Sequence, residues 1–172
     1  WEIANQSDIL LSTSELNVSN FELHRGYQLV KINGCLSDNE RDQLRFDVLG
    51  LDLNELSNLL DFPNQLSGRF SGWGVLSTPN NNVSILADAN LEQFQIDGQM
   101  VGDVMLHSDW SDASKRILLE GTLQYRNERT FDFDGLYNIK ADELDLGLNF
   151  KQTDISFANA FMDPEVIKGI KG

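Results

Sequence analysis

Apolar and polar residues alternate along most of this chain, and that pattern limits its possible folds more than any other feature. In the clearest run, mostly polar residues lie between apolar ones at every second position: Ile117, Leu119, Gly121, Leu123 and Tyr125. On a pleated strand two such sets point to opposite faces. The next two runs follow the same rule, with apolar positions at Phe131, Phe133, Gly135, Tyr137, Leu144, Leu146, Leu148 and Phe150.

The same two-residue period recurs upstream. It is present in residues 9–11, 16–18, 21–23, 30–36, 44–48, 66–70, 85–91, 94–100 and 104–106. Polar turn sequences separate several of these segments, at residues 37–39, 79–82, 111–114 and 127–129. Short strands with one apolar and one polar face are typical of antiparallel sheets with one solvated face. The sequence therefore predicts an all-β fold, and glycines along the apolar positions would let the sheet curl.

Two short segments depart from the strand pattern. Asp52 supplies a helix N-cap, Glu55 follows three residues on, and leucines at helical spacing predict a short helix that stops near Pro63. Residues 154–161 have a similar apolar face and stop before Pro164. At a constant offset of 101 residues five positions match in class, including Pro63 with Pro164. We therefore expect an internal repeat of about a hundred residues, with units restarting near Leu66 and Ile167.

Charge and cysteine content exclude several classes of protein. The net charge is -14, with 13 Lys and Arg against 27 Asp and Glu, so the chain lacks the basic clusters that bind nucleic acid or an anionic membrane surface.

The single Cys35 cannot form an internal disulfide, and its apolar surroundings in the sequence predict a small buried hydrophobe. No apolar stretch approaches the ~20 residues of a membrane-spanning helix, and no signal peptide is visible.

The two ends of the sequence suggest a piece of something longer. The chain opens on Trp1 without a methionine and closes on residues 168–172, which match the start of the proposed second unit. We expect residues 1–172 to be one β-repeat segment of a larger protein.

No motif predicts catalysis or metal binding. His24 and His107 both fall on the polar side of their strands, and three consecutive residues from His107 to Asp109 cannot converge into a catalytic triad on an extended strand. Asp132 and Asp134 lack the ligand spacing of a calcium loop. The glycine-rich residues 68–74 lack the ending of a phosphate loop. The prediction is therefore no enzyme, no catalytic residue, no metal ligand and no cofactor.

Two tryptophans support an alternative interpretation. Trp110, expected in a turn, and Trp73 could stack on sugar rings, as in β-sandwich modules that bind carbohydrate or protein. The simpler prediction is that Trp110 covers the end of the apolar layer, since tryptophan usually buries most of its surface.

Three segments also resemble a known repeat. Residues 66–72, 85–91 and 94–104 are similar to the repeat of TamB-type, AsmA-like proteins, the translocation and assembly module family. In that repeat a G-x-h-x-G strand, where h is apolar, precedes apolar-alternating strands and an h-x-h-x-G-x-x-h-G-x-h pair. Residues 117–121, Gly135, residues 145–148 and residues 161–169 continue the resemblance over nearly the whole chain.

The resemblance implies a fold and a function. Members of this family are anchored in the inner membrane by an N-terminal helix, cross the periplasm and act in outer-membrane biogenesis. Their sheet forms a β-taco, an elongated, curved antiparallel trough with a hydrophobic interior. The trough is proposed to carry phospholipid, or to assist an outer-membrane β-barrel partner in assembly. The family has no catalytic residues to transfer.

The apolar alternation and the resemblance together predict a lipid-facing groove in this chain, and the β-sandwich remains the alternative. An unfilled apolar trough would forfeit about 1.5–3 kcal/mol for each large side chain left unburied. Phospholipid acyl chains would fill it without any specific hydrogen bond. The predicted lining residues are Ile85, Leu91, Phe94, Ile96, Val104, Leu106, Ile117, Leu119, Leu123, Tyr125, Phe131, Phe133, Leu144, Leu146, Leu148 and Phe150.

Overall fold

The described part of the chain consists of strands and one short helix. The structure, a computed structural model, describes residues 1–4, 6–60, 64–78, 83–111, 115–126 and 128–151. Its elements are β1 (Glu2–Ile3), β2 (Asp8–Leu11), β3 (Glu15–Arg25), β4 (Gln28–Ser37), β5 (Leu44–Asp52), α1 (Leu53–Leu60), β6 (Leu66–Ser77), β7 (Ser84–Ile96), β8 (Gln99–Ser111), β9 (Arg116–Tyr125), β10 (Glu128–Asn138) and β11 (Glu143–Phe150). The predicted all-β class is confirmed.

All eleven strands belong to one antiparallel sheet. From β3 to β11 each strand pairs with the strand that follows it in the chain, so the sheet is a simple meander. β1 and β2 both pair with β3, near its two ends, and together form one edge. Within the described residues β11 pairs with β10 alone and forms the other edge, so the sheet is open. The described residues form a single sheet, which excludes two facing sheets within them and favours the curved-sheet prediction over the β-sandwich.

The predicted short helix is present as α1. Asp52 caps it, because its Oδ1 accepts the Asn54 N–H at 2.9 Å. Glu55 binds the Arg25 guanidinium at 2.6 Å and ties the helix to the end of β3. Ser57 is buried, and its hydroxyl accepts the Leu66 N–H and donates to the Asn64 carbonyl oxygen. These contacts fix the connection between α1 and β6. The structure contains no helix long and apolar enough to cross a membrane among the described residues.

Glycines on the apolar side of the sheet mark positions where neighbouring strands come close. A Cβ atom on Gly72 would lie 2.5 Å from the Asp88 carbonyl oxygen, and one on Gly135 would lie 2.5 Å from the Asp145 carbonyl oxygen. On the opposite face, a Cβ on Gly147 would meet nothing closer than 3.4 Å. At Gly72 and Gly135 the backbone of the neighbouring strand therefore lies close to the apolar side of the sheet. Such close approach is what a sheet that curves toward its apolar face requires.

Several local predictions need correction. Trp110 lies in β8 and pairs with Ile117, so it is not in a turn. Glu128 and Arg129 belong to β10, because the register pairs Glu128 with Tyr125. Leu66 is the first residue of β6. The second predicted helix, at residues 154–161, and the restart near Ile167 lie outside the described residues.

Candidate functional site

The register of the strands aligns one apolar row across the whole sheet. Each position pairs directly with the next, and the row takes one residue from every strand except β2. Alternation places all of its members on the same side of the sheet. The row runs Ile3, Leu23, Val30, Val48, Gly72, Ala89, Leu106, Gly121, Phe133 and Leu148. We call the side that carries this row the apolar face.

The predicted lining residues all lie on this face. Leu91, Val104, Leu123, Phe131 and Phe150 form a second row in register. Parallel rows place the other predicted residues of β7 to β11 on the same side, at Ile85, Ile117, Leu119, Leu144 and Leu146. Phe94, Ile96 and Tyr125 join them by packing around Val101 and Leu123.

Side chains on the apolar face are far more exposed on the edge strands than at the most buried positions of β8 and β9. Val101 is fully buried, and Leu123 is only 3% exposed. On β11, in contrast, four alternate side chains remain between 44% and 54% exposed, namely Leu144, Leu146, Leu148 and Phe150. Ile3, Ile9 and Leu11 at the opposite edge are at least 53% exposed. Covering such side chains with apolar material is worth about 1.5–3 kcal/mol for each one fully buried. This face is suited to binding extended hydrophobic groups.

Two sets of residues were missed by the predicted site. Val101 is the extra residue of a β-bulge in β8, where the paired positions step from Gly102 to Met100, so a simple two-residue count does not show which side it faces. The other set is the apolar side of β1 to β6, which continues the same face with Val18, Phe21, Leu23, Val30, Ile32, Phe46, Val48 and Phe70. Its alternation was visible in the sequence and could have extended the predicted groove.

The opposite face carries charge. One row in register runs Glu22, Lys31, Asp47, Trp73, Asp88, His107, Glu120 and Asp134. Neighbours in it form ion pairs, with 2.9 Å between Lys31 Nζ and Glu22 Oε2 and 2.7 Å between His107 Nδ1 and Asp88 Oδ1. The charged side chains of this row bind water, so this face of the sheet stays solvated although the other face is apolar.

The residues considered for catalysis stay apart. His107 lies on the polar face, whereas the adjacent Ser108 lies on the apolar face, opposite Leu119. Asp132 binds Arg129 and Lys151, and the hydrogen bond from Arg129 is the main cause that lowers the pKa of this carboxyl. No group of three or more metal-ligating side chains occurs within the described residues.

The structure also places the cysteine and two of the tryptophans. Cys35 pairs with Asn17 on the polar face, so the predicted apolar environment is wrong. Burial, with Glu15 and Asp42 beside the thiol, raises its pKa to about 11. Trp73 lies on the polar face, where the Arg45 guanidinium sits 5.2 Å from its ring centroid. Trp110 is half-buried on the apolar face near the end of β8, as expected of a residue that covers the end of the apolar layer.

Comparison with known proteins adds no relative: no protein-family model, curated protein or solved structure matches this chain.

Proposed function

We propose that this chain is a segment of a TamB-type envelope protein and that its apolar face holds phospholipid acyl chains on their way toward the outer membrane. The single observation that carries the proposal is the apolar row that crosses the sheet from Ile3 to Leu148 without a charged residue. Acyl chains need a continuous hydrophobic wall and no specific hydrogen bond. Under this proposal the protein works in the periplasm and is anchored in the inner membrane by a segment outside these residues.

The position of charge supports the lipid assignment. Acidic side chains lie on the opposite face, in the row that runs from Glu22 to Asp134, and they include Asp47, Asp88 and Glu120. Moving a charge into a lipid-filled groove would be costly, because hydrocarbon offers nothing to replace its hydration. The face-by-face division of the sheet therefore matches a wall that is apolar inside and wet outside.

A second candidate function uses the same face and the edge at β11. The four half-exposed apolar side chains of β11 lie beside a strand that pairs, within the described residues, on one side only. An unpaired strand edge can accept a strand from another chain. This favours assistance to an outer-membrane β-barrel protein during assembly as the alternative role.

Site-specific photocrosslinking in living cells separates these roles. A photoreactive residue at Leu146 would face the groove, and the same residue at the adjacent Asp145 would face the other side and serve as a matched control. Phospholipid crosslinks at position 146 that are absent at position 145 would support transport. Crosslinks to a β-barrel protein would support assembly. Background levels at position 146 would contradict both roles.

A further inference from the structure

A cleft of about 500 Å³ opens on the polar side of the sheet, where bulges in β5 and β7 flank the intervening strand β6. The extra residues lie between Val48 and Leu51 in β5 and around Gln93 in β7, beside Gly68 of β6. We call this the bulge cleft. Bulges bend a strand and redirect its side chains, and they are frequent next to binding sites.

The backbone of the bulge cleft is held in an uncommon conformation. Gln93 has a φ of 53°, in the left-handed region that residues other than glycine seldom adopt. Its N–H donates to Asp103 Oδ1 at 2.7 Å, which holds the bulge in place. Strain of this kind persists only when its surroundings enforce it, and it concentrates at functional sites.

An aromatic ring forms one wall of the cleft. Tyr27, in the turn between β3 and β4, is 65% exposed, and its ring packs on Gly50. A Cβ on Gly50 would lie 3.0 Å from the ring, so glycine permits this close approach. The Arg69 guanidinium lies 5.4 Å from the ring centroid. Buried Gln28 supports the floor by accepting the Asp52 N–H at 2.9 Å.

The chemistry of the lining favours a neutral, hydroxyl-rich ligand. Most of the side chains are uncharged amides or hydroxyls, at Asn54, Gln65, Ser67, Gln93 and Gln95. Among the described lining residues the cation is Arg69, whose charge is offset by the lining carboxylate of Asp52 and by an ion pair with Glu92 at 3.4 Å. Amide side chains both donate and accept hydrogen bonds, as sugar hydroxyls do. An exposed tyrosine ring can also pack against the apolar C–H surface of a pyranose ring.

We propose that the bulge cleft binds a short neutral carbohydrate, with Tyr27 stacking on a sugar ring and the side-chain amides binding its hydroxyls. The volume falls within the range of about 300–1,000 Å³ that is usual for small-ligand sites. The site lies on the side of the sheet opposite the apolar face, so it is independent of the proposed lipid function. It also differs from the tryptophan-based sugar sites considered from the sequence, since neither Trp73 nor Trp110 lines this cleft.

Titration of the isotopically labelled 172-residue chain with cellotriose, maltotriose or chitotriose, followed by NMR, tests the proposal. At least one trimer should cause saturable shifts at the Gln93 and Gln95 side-chain amides and at Gly50 and Gly68. Tyr27→Ala should weaken binding by about tenfold or more, and Tyr27→Phe should preserve most of it. Gln95→Ala, which leaves the ring in place, should cost about fivefold through a lost hydrogen bond.

Gln43→Ala is the matched control, because Gln43 is exposed and lies outside the cleft. It should leave the affinity unchanged. The proposal would be overturned if none of the three trimers caused saturable shifts in the cleft. The proposal would also be overturned if the Tyr27→Ala and Gln95→Ala variants both bound the trimer as tightly as the unaltered chain, since the binding site would then lie elsewhere.

Discussion

The ring of Phe46 on β5 occupies the space that a side chain at Gly74 on β6 would need. The two residues are direct cross-strand partners, and the three atoms nearest to a Cβ on Gly74 all belong to that ring. Phe133 covers Gly121 in the same way, four strands further along the sheet. An aromatic ring laid over a cross-strand glycine shields the backbone and pins the register. The apolar face uses this arrangement twice.

Replacing Gly74 by alanine should therefore destabilise the fold by about 1–3 kcal/mol, because the new methyl group overpacks against the Phe46 ring. Chemical denaturation followed by circular dichroism measures the change. Gly147→Ala is the control, since its Cβ would meet only ordinary contacts, and its effect should be small. In a Phe46→Ala background the Gly74→Ala change should lose most of its cost. An equal cost in both backgrounds would show that the ring is not the obstacle.

Truncation of Leu123 should be far more damaging than truncation of Leu146, although both were predicted to line the same groove. Leu123 is 3% exposed and packs with Val101, so Leu123→Ala should cost about 2–5 kcal/mol. Leu146 is 44% exposed, so Leu146→Ala should cost about 1 kcal/mol or less. Thermal or denaturant unfolding compares the two variants. Similar losses would contradict the difference in burial between Leu123 and Leu146.

Removing the Ser57 hydroxyl should loosen the join between α1 and β6. Ser57→Ala leaves the Leu66 N–H and the Asn64 carbonyl oxygen without this partner. A buried polar group without its hydrogen bond costs about 1–3 kcal/mol. Asn58→Ala, at an exposed position of the same helix, is the control. Amide hydrogen exchange at Leu66 should quicken in the Ser57 variant alone, and unchanged exchange there would argue against the assigned role.

Cys35 should react slowly with iodoacetamide at pH 8, because only the thiolate reacts and burial with two neighbouring carboxylates raises the thiol pKa from 9.0 to about 11. Because the pKa of the Cys35 thiol is higher in the folded chain than in the unfolded chain, the protonated thiol favours folding. This contribution to stability is complete below pH 9.0 and is lost as the pH rises to about 11. Glu15→Gln should lower the pKa and quicken alkylation. Asp134→Asn, remote from the thiol, should not. A pH–rate profile with a midpoint near 9 in the unaltered chain would contradict this prediction.

The alternation of residue types predicted most of the fold, because a two-residue period directly encodes which side chains share a face of a sheet. Leu119 and Leu146, for example, could be assigned to one face from the sequence alone. The short helix was equally accessible, since Asp52 supplies a recognisable cap. Hydrogen-bond register follows from such patterns only where alternation is unbroken.

Local exceptions were harder to predict, for identifiable reasons. Val101 is the extra residue of a bulge in β8, so its burial could not be counted from the two-residue alternation of that strand. Cys35 has apolar neighbours in sequence but faces Glu15 and Asp42 across strands and turn, which depends on register. The cleft beside Tyr27 arises because bulges in β5 and β7 lie on either side of β6, and no single segment contains that information.

Fluorescence quenching by a brominated phospholipid tests the central claim most directly, because two of the three tryptophans lie on opposite faces. Trp110 pairs with Ile117 on the apolar face, and Trp73 pairs with Asp88 on the polar face. Two single-tryptophan variants, each also carrying Trp1→Phe, would retain either Trp110 or Trp73. Binding of acyl chains to the apolar face predicts saturable quenching of Trp110 and little quenching of Trp73. Equal quenching of both, or none of Trp110, would contradict it.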